Sequence, residues 1–222
     1  MKIFYYNIVT KSIYKYELWK RVYDIFFSLL GILIFFIPVL IIGLIIKIKS
    51  RESIIYWSKR FGLKNKLFKM AKLRTMKTDT PLIPAKSLIM PEQYFNCFGK
   101  ILRITGIDEL PQLYNILKGD MSFVGPRPVI SSETELIEMR TEKGINLIKP
   151  GLTGLAQIKG RDKLSIHSKI KYDEIYMNNF GFLMDFKIIL LTNYWLFYEN
   201  IYSKRLILKE KYNLYFVKDI LF

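Results

Sequence analysis

The segment Ile25–Ile46, IFFSLLGILIFFIPVLIIGLII, contains 22 residues and no charged side chain. As a straight α-helix it would be ~33 Å long, about the thickness of the hydrocarbon core of a bilayer. It begins too far from the N-terminus and is too long to be a cleaved signal peptide, and no small-residue cleavage site follows it. The sequence therefore predicts a helical membrane segment.

The flanks of this segment and its proline indicate how it meets the bilayer. Basic residues lie on both sides of it, namely Lys11, Lys15, Lys20 and Arg21 before it and Lys47, Lys49 and Arg51 after it. Basic flanks mark cytoplasmic ends, and Pro38 near the middle removes a helical hydrogen bond. A helix that enters the membrane, breaks at Pro38 and returns would keep both flanks in the cytoplasm. A spanning helix kinked at Pro38 is the alternative.

The composition of the chain limits the classes of partner that it could bind. Its 222 residues carry a net charge of +16, and 51% of them are hydrophobic. Nucleic-acid-binding proteins of similar charge are more polar, so the balance favours anionic membrane lipid and no nucleic acid. Cys97 and His167 are the only cysteine and histidine, which excludes disulfides and zinc sites of the usual ligand types within one chain.

Several patterns predict local structure after the membrane segment. Residues 59–77 contain eight basic side chains and no acidic one, so an anionic partner is expected there, although a solvated basic face near lipid headgroups is the simpler alternative. Residues 67–73 alternate weakly as a strand after a turn at Gly62. A proline-rich loop over 78–94 and a helix over 95–103 are expected next.

The segment Asp108–Asp120, DELPQLYNILKGD, has the signals of a short helix. Asp108 is a suitable N-cap, Pro111 is tolerated in a first turn, and Gly119 suits the position after the helix. A helix that starts at Asp108 would turn both Asp108 and Glu109 toward the positive end of its dipole. On this reading alone the two residues cap the helix and have no chemical role.

The acidic pair also suits phosphoryl transfer. One carboxylate can attack phosphorus while another group holds a magnesium ion against the phosphate oxygens. Arg103 and Arg127 would supply further positive charge if they converge there, and the prolines on either side of Arg127 restrict where it points.

Three later segments are less specific. Residues 149–161 contain three glycines and end in Arg161, which is typical of a loop whose backbone amides approach a ligand. Residues 165–178 are predicted to be helical. Residues 182–202 are apolar along one face, and a core helix and a membrane-surface helix fit equally well.

Taken together, these motifs resemble the bacterial sugar transferase family, the monotopic phosphoglycosyl transferases, from about residue 19 to 197. The matching stretches are KRVYD at 20–24, RFG at 60–62, KLRTM at 72–76, DELPQ at 108–112, KGDMSFVGPRP at 118–128, and PGLTG at 150–154 with Gln157 and Gly160-Arg161.

The resemblance implies an α+β fold: a mostly helical interfacial membrane domain with a re-entrant helix–break–helix anchor and a few short strands. The expected domains are a basic, aromatic extension (1–18), the re-entrant helix broken near Pro38 (19–50), a catalytic domain (51–202) and a basic tail (203–222). The resemblance also implies the bacterial inner membrane, with the catalytic domain on the cytoplasmic face.

The activity that the resemblance implies is magnesium-dependent and has two steps. Asp108 would attack the β-phosphorus of a UDP-sugar, expel UMP and hold the phosphosugar until undecaprenyl (polyprenyl) phosphate takes it, which initiates surface glycan synthesis. Glu109, with Asp108, would be associated with Mg²⁺. Residues expected near the phosphates are Lys72, Arg74, Arg103, Arg127 and Arg161, with uridine contacts from 150–161.

The chain departs from the family pattern at two places. Ile37-Pro38 stands where the family usually has Ser-Pro, and Ser58 and Phe61 stand where it usually has glutamine and proline. These departures affect the expected geometry of the membrane break and of the following strand, and they leave the acidic pair intact.

Two other functions fit parts of the sequence. A non-catalytic, membrane-anchored basic protein that binds lipid or nucleic acid would explain the charge and the anchor. A related enzyme that transfers the sugar without its phosphate would release UDP. The residues do not distinguish glucose, galactose and N-acetylated amino sugars.

Overall fold

The computed structural model describes residues 2–50, 53–80, 91–96 and 98–192. Its helices and strands, in chain order, are α1 Lys2–Ser50, β1 Ile55–Phe61, β2 Leu67–Leu73, α2 Gly99–Thr105, α3 Gln112–Lys118, β3 Ser122–Val124, α4 Thr134–Glu142, β4 Gly151–Thr153, α5 Leu155–Ile158, α6 Ile166–Asn178 and α7 over 182–192. This mixture of helices with short strands confirms the α+β class. The predicted tail, the end of the last helix and most of the proline-rich loop lie outside the described residues.

Helix α1 contains the whole apolar segment and continues through Pro38 without interruption. The predicted end of the helix at Pro38 is therefore not seen. A proline lacks one N–H donor, and the hydrogen bonds of the neighbouring turns can hold the helix together across it. The same helix also runs across the predicted boundary between residues 18 and 19.

The first half of α1 is fixed to the folded domain by polar contacts. Arg21 donates from its two terminal nitrogens to the carbonyl oxygens of Ile116 and Leu117, both at 2.6 Å, at the C-terminal end of α3. Asp24 accepts hydrogen bonds from the Ser122 hydroxyl at 3.0 Å and from the Phe123 amide at 3.1 Å. A cation suits the negative end of a helix, so these contacts stabilise the attachment of α1 to α3 and β3.

The second half of α1 is attached through apolar contacts. Ile46 is fully buried against Leu73 of β2 and Leu102 of α2. Between the two attachments, the six residues of the segment 33–38 are all exposed, which is more than one helical turn. Both flanks of the apolar segment therefore contact the same folded domain, and the exposed stretch 33–38 is bordered by Ile32 and Val39, which pack against core residues.

Strands β1 and β2 form an antiparallel hairpin that pairs Ile55 with Leu73 and Phe61 with Leu67, which confirms the predicted strand over 67–73. The buried amide of Asn115 joins this hairpin to α3. It accepts from the backbone N–H of Ala71 at 2.9 Å and donates to the carbonyl oxygen of Lys69 at 2.7 Å. This bridge fixes the beginning of α3 beside the end of β2.

Strands β3 and β4 pair in parallel, and glycines allow them to approach closely. A Cβ atom added to Gly151 would lie 2.1 Å from the backbone nitrogen of Gly125. The Gly151 amide donates to the Pro126 carbonyl and the Gly125 amide donates to the Thr153 carbonyl, both at 2.9 Å. Of the three glycines in the predicted ligand loop over 149–161, Gly151 thus uses its amide within the fold and does not offer it to a ligand.

Helices α6 and α7 complete the core. Ser165 caps α6 by accepting from the Ser168 amide, in line with the predicted helix over 165–178. In α7, Ile188 is fully buried while Leu183 and Phe186 are exposed. The described part of this helix therefore has both a core face and an apolar outer face.

A buried ion pair joins α4 to α6. Arg140 donates from Nε and Nη2 to Asp173 Oδ2 at 3.0 and 2.6 Å, and Asp173 is 2% exposed. The remaining terminal nitrogen of Arg140 donates to the carbonyl oxygen of Arg127 at 2.7 Å. Through this bond the ion pair fixes the backbone that carries the Arg127 side chain.

We expect Arg140→Met to lower the free energy of unfolding by about 3–5 kcal/mol, because Asp173 would remain buried without its cation. Lys143→Met is the matched control, since it removes only an exposed ion pair with Glu174 and should cost less than about 1 kcal/mol. Both values can be measured by denaturant unfolding in detergent. Equal losses in the two variants would contradict the assignment.

Candidate active site

The acidic pair lies in a tight turn before α3. Gly106 has a φ of 72°, and the residues Ile107–Glu109 form one turn of 3-10 helix. The α-helix itself begins only at Gln112, and Asp108 makes no capping hydrogen bond. The prediction that Asp108 is the N-cap of this helix is therefore wrong. The turn is closed by backbone hydrogen bonds, from the Glu109 amide to the Gly106 carbonyl and from the Leu110 amide to the Ile107 carbonyl. The backbone therefore satisfies these amides without the Asp108 carboxylate.

Glu109 forms the centre of an ionic cluster. Its Oε1 lies 2.7 Å from Lys72 Nζ and 3.4 Å from Arg161 Nη2. The charges of Lys72, Arg127 and Arg161 outweigh the effect of burial and lower the pKa of Glu109 to about 2. Glu109 is therefore ionised at any physiological pH.

Asp108 is buried, at 6% exposure, and accepts no hydrogen bond from the residues that the structure describes. Burial raises its pKa, and the neighbouring charge of Glu109 acts in the same direction. The positive charges of Lys72, Arg103 and Arg161 oppose this rise. The result is a carboxylate whose oxygens are free of hydrogen bonds, beside fixed cations.

Three separate elements bring the cations to this turn. Lys72 comes from β2, and Arg103 comes from α2, where its Nε donates to Thr75 Oγ1 at 2.9 Å and its guanidinium lies over the Phe95 ring. Arg161 has a φ of 51° and follows Gly160 after α5. Since these elements are far apart in the sequence, only the folded chain brings the charges together.

A small pocket adjoins Glu109. Its lining consists of Arg60, Met70, Lys72, Glu109, Gln112, Arg127, Pro128, Gly151 and Leu152. Two of these polar residues, Arg60 and Gln112, were not among the predicted site residues. The sequence did contain a signal for each, because Arg60 belongs to the basic segment over 59–77 and Gln112 follows Asp108 by four residues.

Of the predicted substrate-binding residues, Lys72, Arg103, Arg127 and Arg161 all act electrostatically on the acidic pair. Arg74 does not join them. Its guanidinium donates to the Ser53 hydroxyl at 2.7 and 3.1 Å and lies over the Tyr56 ring. Arg74 follows the last residue of β2, and its contacts with Ser53 and Tyr56 hold it there while Lys72, two residues earlier, reaches Glu109.

The oxygen ligands at the turn suit a hard cation. Among the described residues, no three or more His, Cys, Asp or Glu side chains lie close enough together to hold a metal ion by themselves. Magnesium is commonly held by one or two carboxylates together with substrate phosphates and water. Asp108 and the second oxygen of Glu109, which the Lys72 and Arg161 contacts leave free, provide such a pair.

Most of this sequence is similar to proteins that have been named. The profile of the family described as bacterial sugar transferase matches residues 15–199. A protein of Bacillus subtilis strain 168, described as the uncharacterized sugar transferase EpsL, is 34% identical over 176 residues, which cover 78% of this chain and 84% of that protein.

Two longer relatives have more specific names. The UDP-glucose:undecaprenyl-phosphate glucose-1-phosphate transferase of Klebsiella pneumoniae is 38% identical over 185 residues. The undecaprenyl-phosphate galactose phosphotransferase of Salmonella typhimurium strain LT2 is 32% identical over 188 residues. Each match covers 78% of this chain and 39% of the relative. Because the family profile spans most of the chain, this protein is an enzyme of the bacterial sugar transferase family.

Proposed function

We propose that this enzyme transfers a sugar 1-phosphate from a UDP-sugar to undecaprenyl phosphate and releases UMP. The observation that carries the proposal is the Asp108 carboxylate, which is buried, accepts no hydrogen bond from a described residue, and lies within reach of the charges of Lys72, Arg103 and Arg161. The names of the Klebsiella and Salmonella relatives support the same chemistry. The lipid-linked product would enter surface glycan synthesis.

In the first proposed step, an oxygen of Asp108 attacks the β-phosphorus of the UDP-sugar. The bond from that phosphorus to the bridging oxygen breaks, and UMP leaves with the electron pair. A carboxylate with a raised pKa is more basic and hence a better nucleophile, provided that it is ionised. The surrounding cations favour the ionised form of Asp108 and attract the diphosphate.

In the second step, a phosphate oxygen of undecaprenyl phosphate attacks the same phosphorus. The Asp108 carboxylate leaves, which restores the enzyme and yields a polyprenyl diphosphate sugar. Glu109 stays ionised because of its low pKa. Asp108 and Glu109 would hold Mg²⁺, which neutralises phosphate oxygens when it is bound.

The proposed membrane arrangement has α1 bend at Pro38 within the bilayer and return, so that both flanks stay on the cytoplasmic face of the bacterial inner membrane. This requires the helix, which is continuous through Pro38 in the structure, to open at the proline, where one helical hydrogen bond is already missing. In support of this arrangement, both flanks of the apolar segment contact one folded domain, and the segment 33–38 is exposed around Pro38. Apolar side chains of α7, including Leu183 and Phe186, are also exposed. An anionic lipid surface would attract the strongly basic chain.

The covalent step can be tested with Asp108→Asn. Purified enzyme with a UDP-sugar, Mg²⁺ and undecaprenyl phosphate should release UMP, and the variant should lose at least ~1,000-fold in rate because the nucleophile is missing. Without undecaprenyl phosphate, intact-mass measurement should show a phosphosugar adduct on the wild type alone. The exposed Asp79 supplies the control variant Asp79→Asn, which should behave as wild type.

Release of UDP would contradict phosphosugar transfer and favour transfer of the sugar alone. An adduct that persists in Asp108→Asn would contradict the choice of nucleophile. No nucleotide product with any UDP-sugar would favour a non-catalytic lipid-binding protein.

The pH dependence tests the electrostatic arrangement. Protonated Asp108 cannot attack, so the rate of UMP release should fall as the pH drops through the raised pKa of Asp108. Lys72 lowers that pKa, so Lys72→Met should shift the acid limb of the profile to higher pH, besides reducing the rate. Lys143→Met should leave the profile unchanged, and an acid limb that moves to lower pH in Lys72→Met would refute the arrangement.

The membrane topology can be tested by cysteine labelling. With Cys97 replaced by serine, Glu17→Cys and Lys47→Cys place single thiols on the two flanks of the apolar segment. A membrane-impermeant maleimide should label neither thiol in intact bacteria and both after the inner membrane is opened. Labelling of one position in intact cells would show a spanning helix.

A further inference from the structure

The pocket beside Glu109 is lined in part by cations and a hydrogen-bond donor that do not pair with the acidic residues. Its polar lining comes from four elements: Arg60 from β1, Lys72 from β2, Gln112 from α3, and Arg127 from the link after β3. We propose that Arg60 and Gln112 join Arg127, which the family resemblance already places near the phosphates, to form a phosphate subsite next to the acidic pair. This inference rests on the proposed function, because the phosphate would belong to one of the two substrates.

Arg60 is held with its charge at the pocket. Its Nε donates to the Ser58 hydroxyl at 2.9 Å, and its Nη1 contacts the carbonyl oxygen of Pro128 at 3.4 Å. Ser58 is buried and lies two residues away on the same face of β1. Within the described part of the chain, these contacts leave Nη2 of Arg60 without an acceptor.

Arg127 is positioned by its backbone and not by its side chain. Pro126 and Pro128 flank it, and its carbonyl accepts from Arg140. Among the residues described, no ion pair neutralises Arg127 or Arg60, whereas the buried Arg140 is paired with Asp173. Burial and the neighbouring charge of Arg127 lower the pKa of Arg60 to about 10. Two neighbouring cations that form no ion pair repel each other, and a bound dianion would interact favourably with both.

Gln112 provides the independent sign of a missing ligand. It is 2% exposed, and its Nε2 has no hydrogen-bond partner in the described structure. An unpaired buried donor costs about 1–3 kcal/mol, so such groups usually have a function or a ligand. Gln112 lines the same pocket as two guanidinium groups that form no ion pair with a described residue, and an oxygen-rich anion there would offer acceptors to all three side chains.

The subsite is distinct from the cations that surround Asp108. Arg103 and Arg161 act on Asp108, whereas Arg60 interacts with Arg127, Glu133, Tyr56 and Glu109. Lys72 and Glu109 are common to the two groups. The charges of both groups act on the acidic pair, which suits a reaction in which two phosphate groups meet at one carboxylate.

Two single substitutions each remove one polar group of the subsite without adding bulk. Arg60→Gln removes one charge, and Gln112→Leu replaces the unpaired amide with an apolar group of similar size, which should not lower stability. Lys143→Gln on the surface is the control. Inorganic phosphate and pyrophosphate should raise the melting temperature of the wild-type enzyme, and each variant should need about 10- to 100-fold more of these anions for the same shift.

Kinetics then identify the source of the phosphate. If it belongs to the UDP-sugar, both variants should raise the KM for the nucleotide sugar and slow the release of UMP in the absence of acceptor. If it belongs to undecaprenyl phosphate, that first release should be unchanged, while the KM for the lipid rises by about 10- to 100-fold. Either result supports the subsite.

Anion stabilisation and both KM values equal to those of Lys143→Gln would overturn the proposal. The anion measurement needs no turnover, so it separates the subsite from the proposed activity. An enzyme that releases no UMP but loses anion stabilisation in both variants would keep the subsite and refute the reaction. If UMP release is normal and the variants have unaltered anion binding and KM values, the proposed reaction stands and the subsite is refuted.

Discussion

The ion pair between Lys72 and Glu109 joins the second strand of the hairpin to the turn that precedes α3. It brings a cation from one element against the carboxylate of another, and it keeps Glu109 ionised in a largely buried position. The same lysine lowers the pKa of Asp108, while the charge of Glu109 raises it. The protonation of both carboxylates therefore depends on how closely β2 lies against this turn.

The scaffold fixes that distance through buried polar contacts. Asn115 bonds to the backbone of β2 on both sides of Met70, so α3 cannot slide along the strand without losing two hydrogen bonds. The Arg140–Asp173 pair fixes the backbone of Arg127 in a similar way. Such buried bonds add modest stability, but breaking them leaves unpaired polar groups, which makes one arrangement strongly preferred. That rigidity suits a site whose chemistry depends on placed charges.

Membrane attachment and the site share the same elements. Arg21 and Asp24 of α1 bond to the end of α3 and to β3, and Ile46 packs against Leu73, one residue after Lys72. The helix that would enter the lipid thus packs directly on α3, which follows the turn of Glu109, and on β2, which carries Lys72. A polyprenyl phosphate held at the surface of the bilayer would meet the acidic pair close to the anchor.

Much of this could be predicted from sequence. Local patterns correctly indicated the strand over 67–73, the helix over 165–178 and the end of α3 at Gly119, because periodicity and glycine conformation act within a few residues. Local signals were misleading at Asp108, where a 3-10 turn replaced the predicted cap. They also misled at Gly151, whose lack of a side chain serves strand packing.

The sequence by itself determined that the chain is basic and apolar, that it contains a long membrane segment, and that an acidic pair lies among motifs of the sugar transferases. Only the tertiary structure decided which cations reach that pair. Arg74 and Lys72 are two residues apart, yet Ser53 binds the first and Glu109 the second. Pairing of β1 with β2 places Arg60 at the pocket, and the bonds from Asn115 to β2 place α3, and with it Gln112, there. Charge is encoded residue by residue, whereas the distance between charges depends on contacts between elements that are remote in the chain.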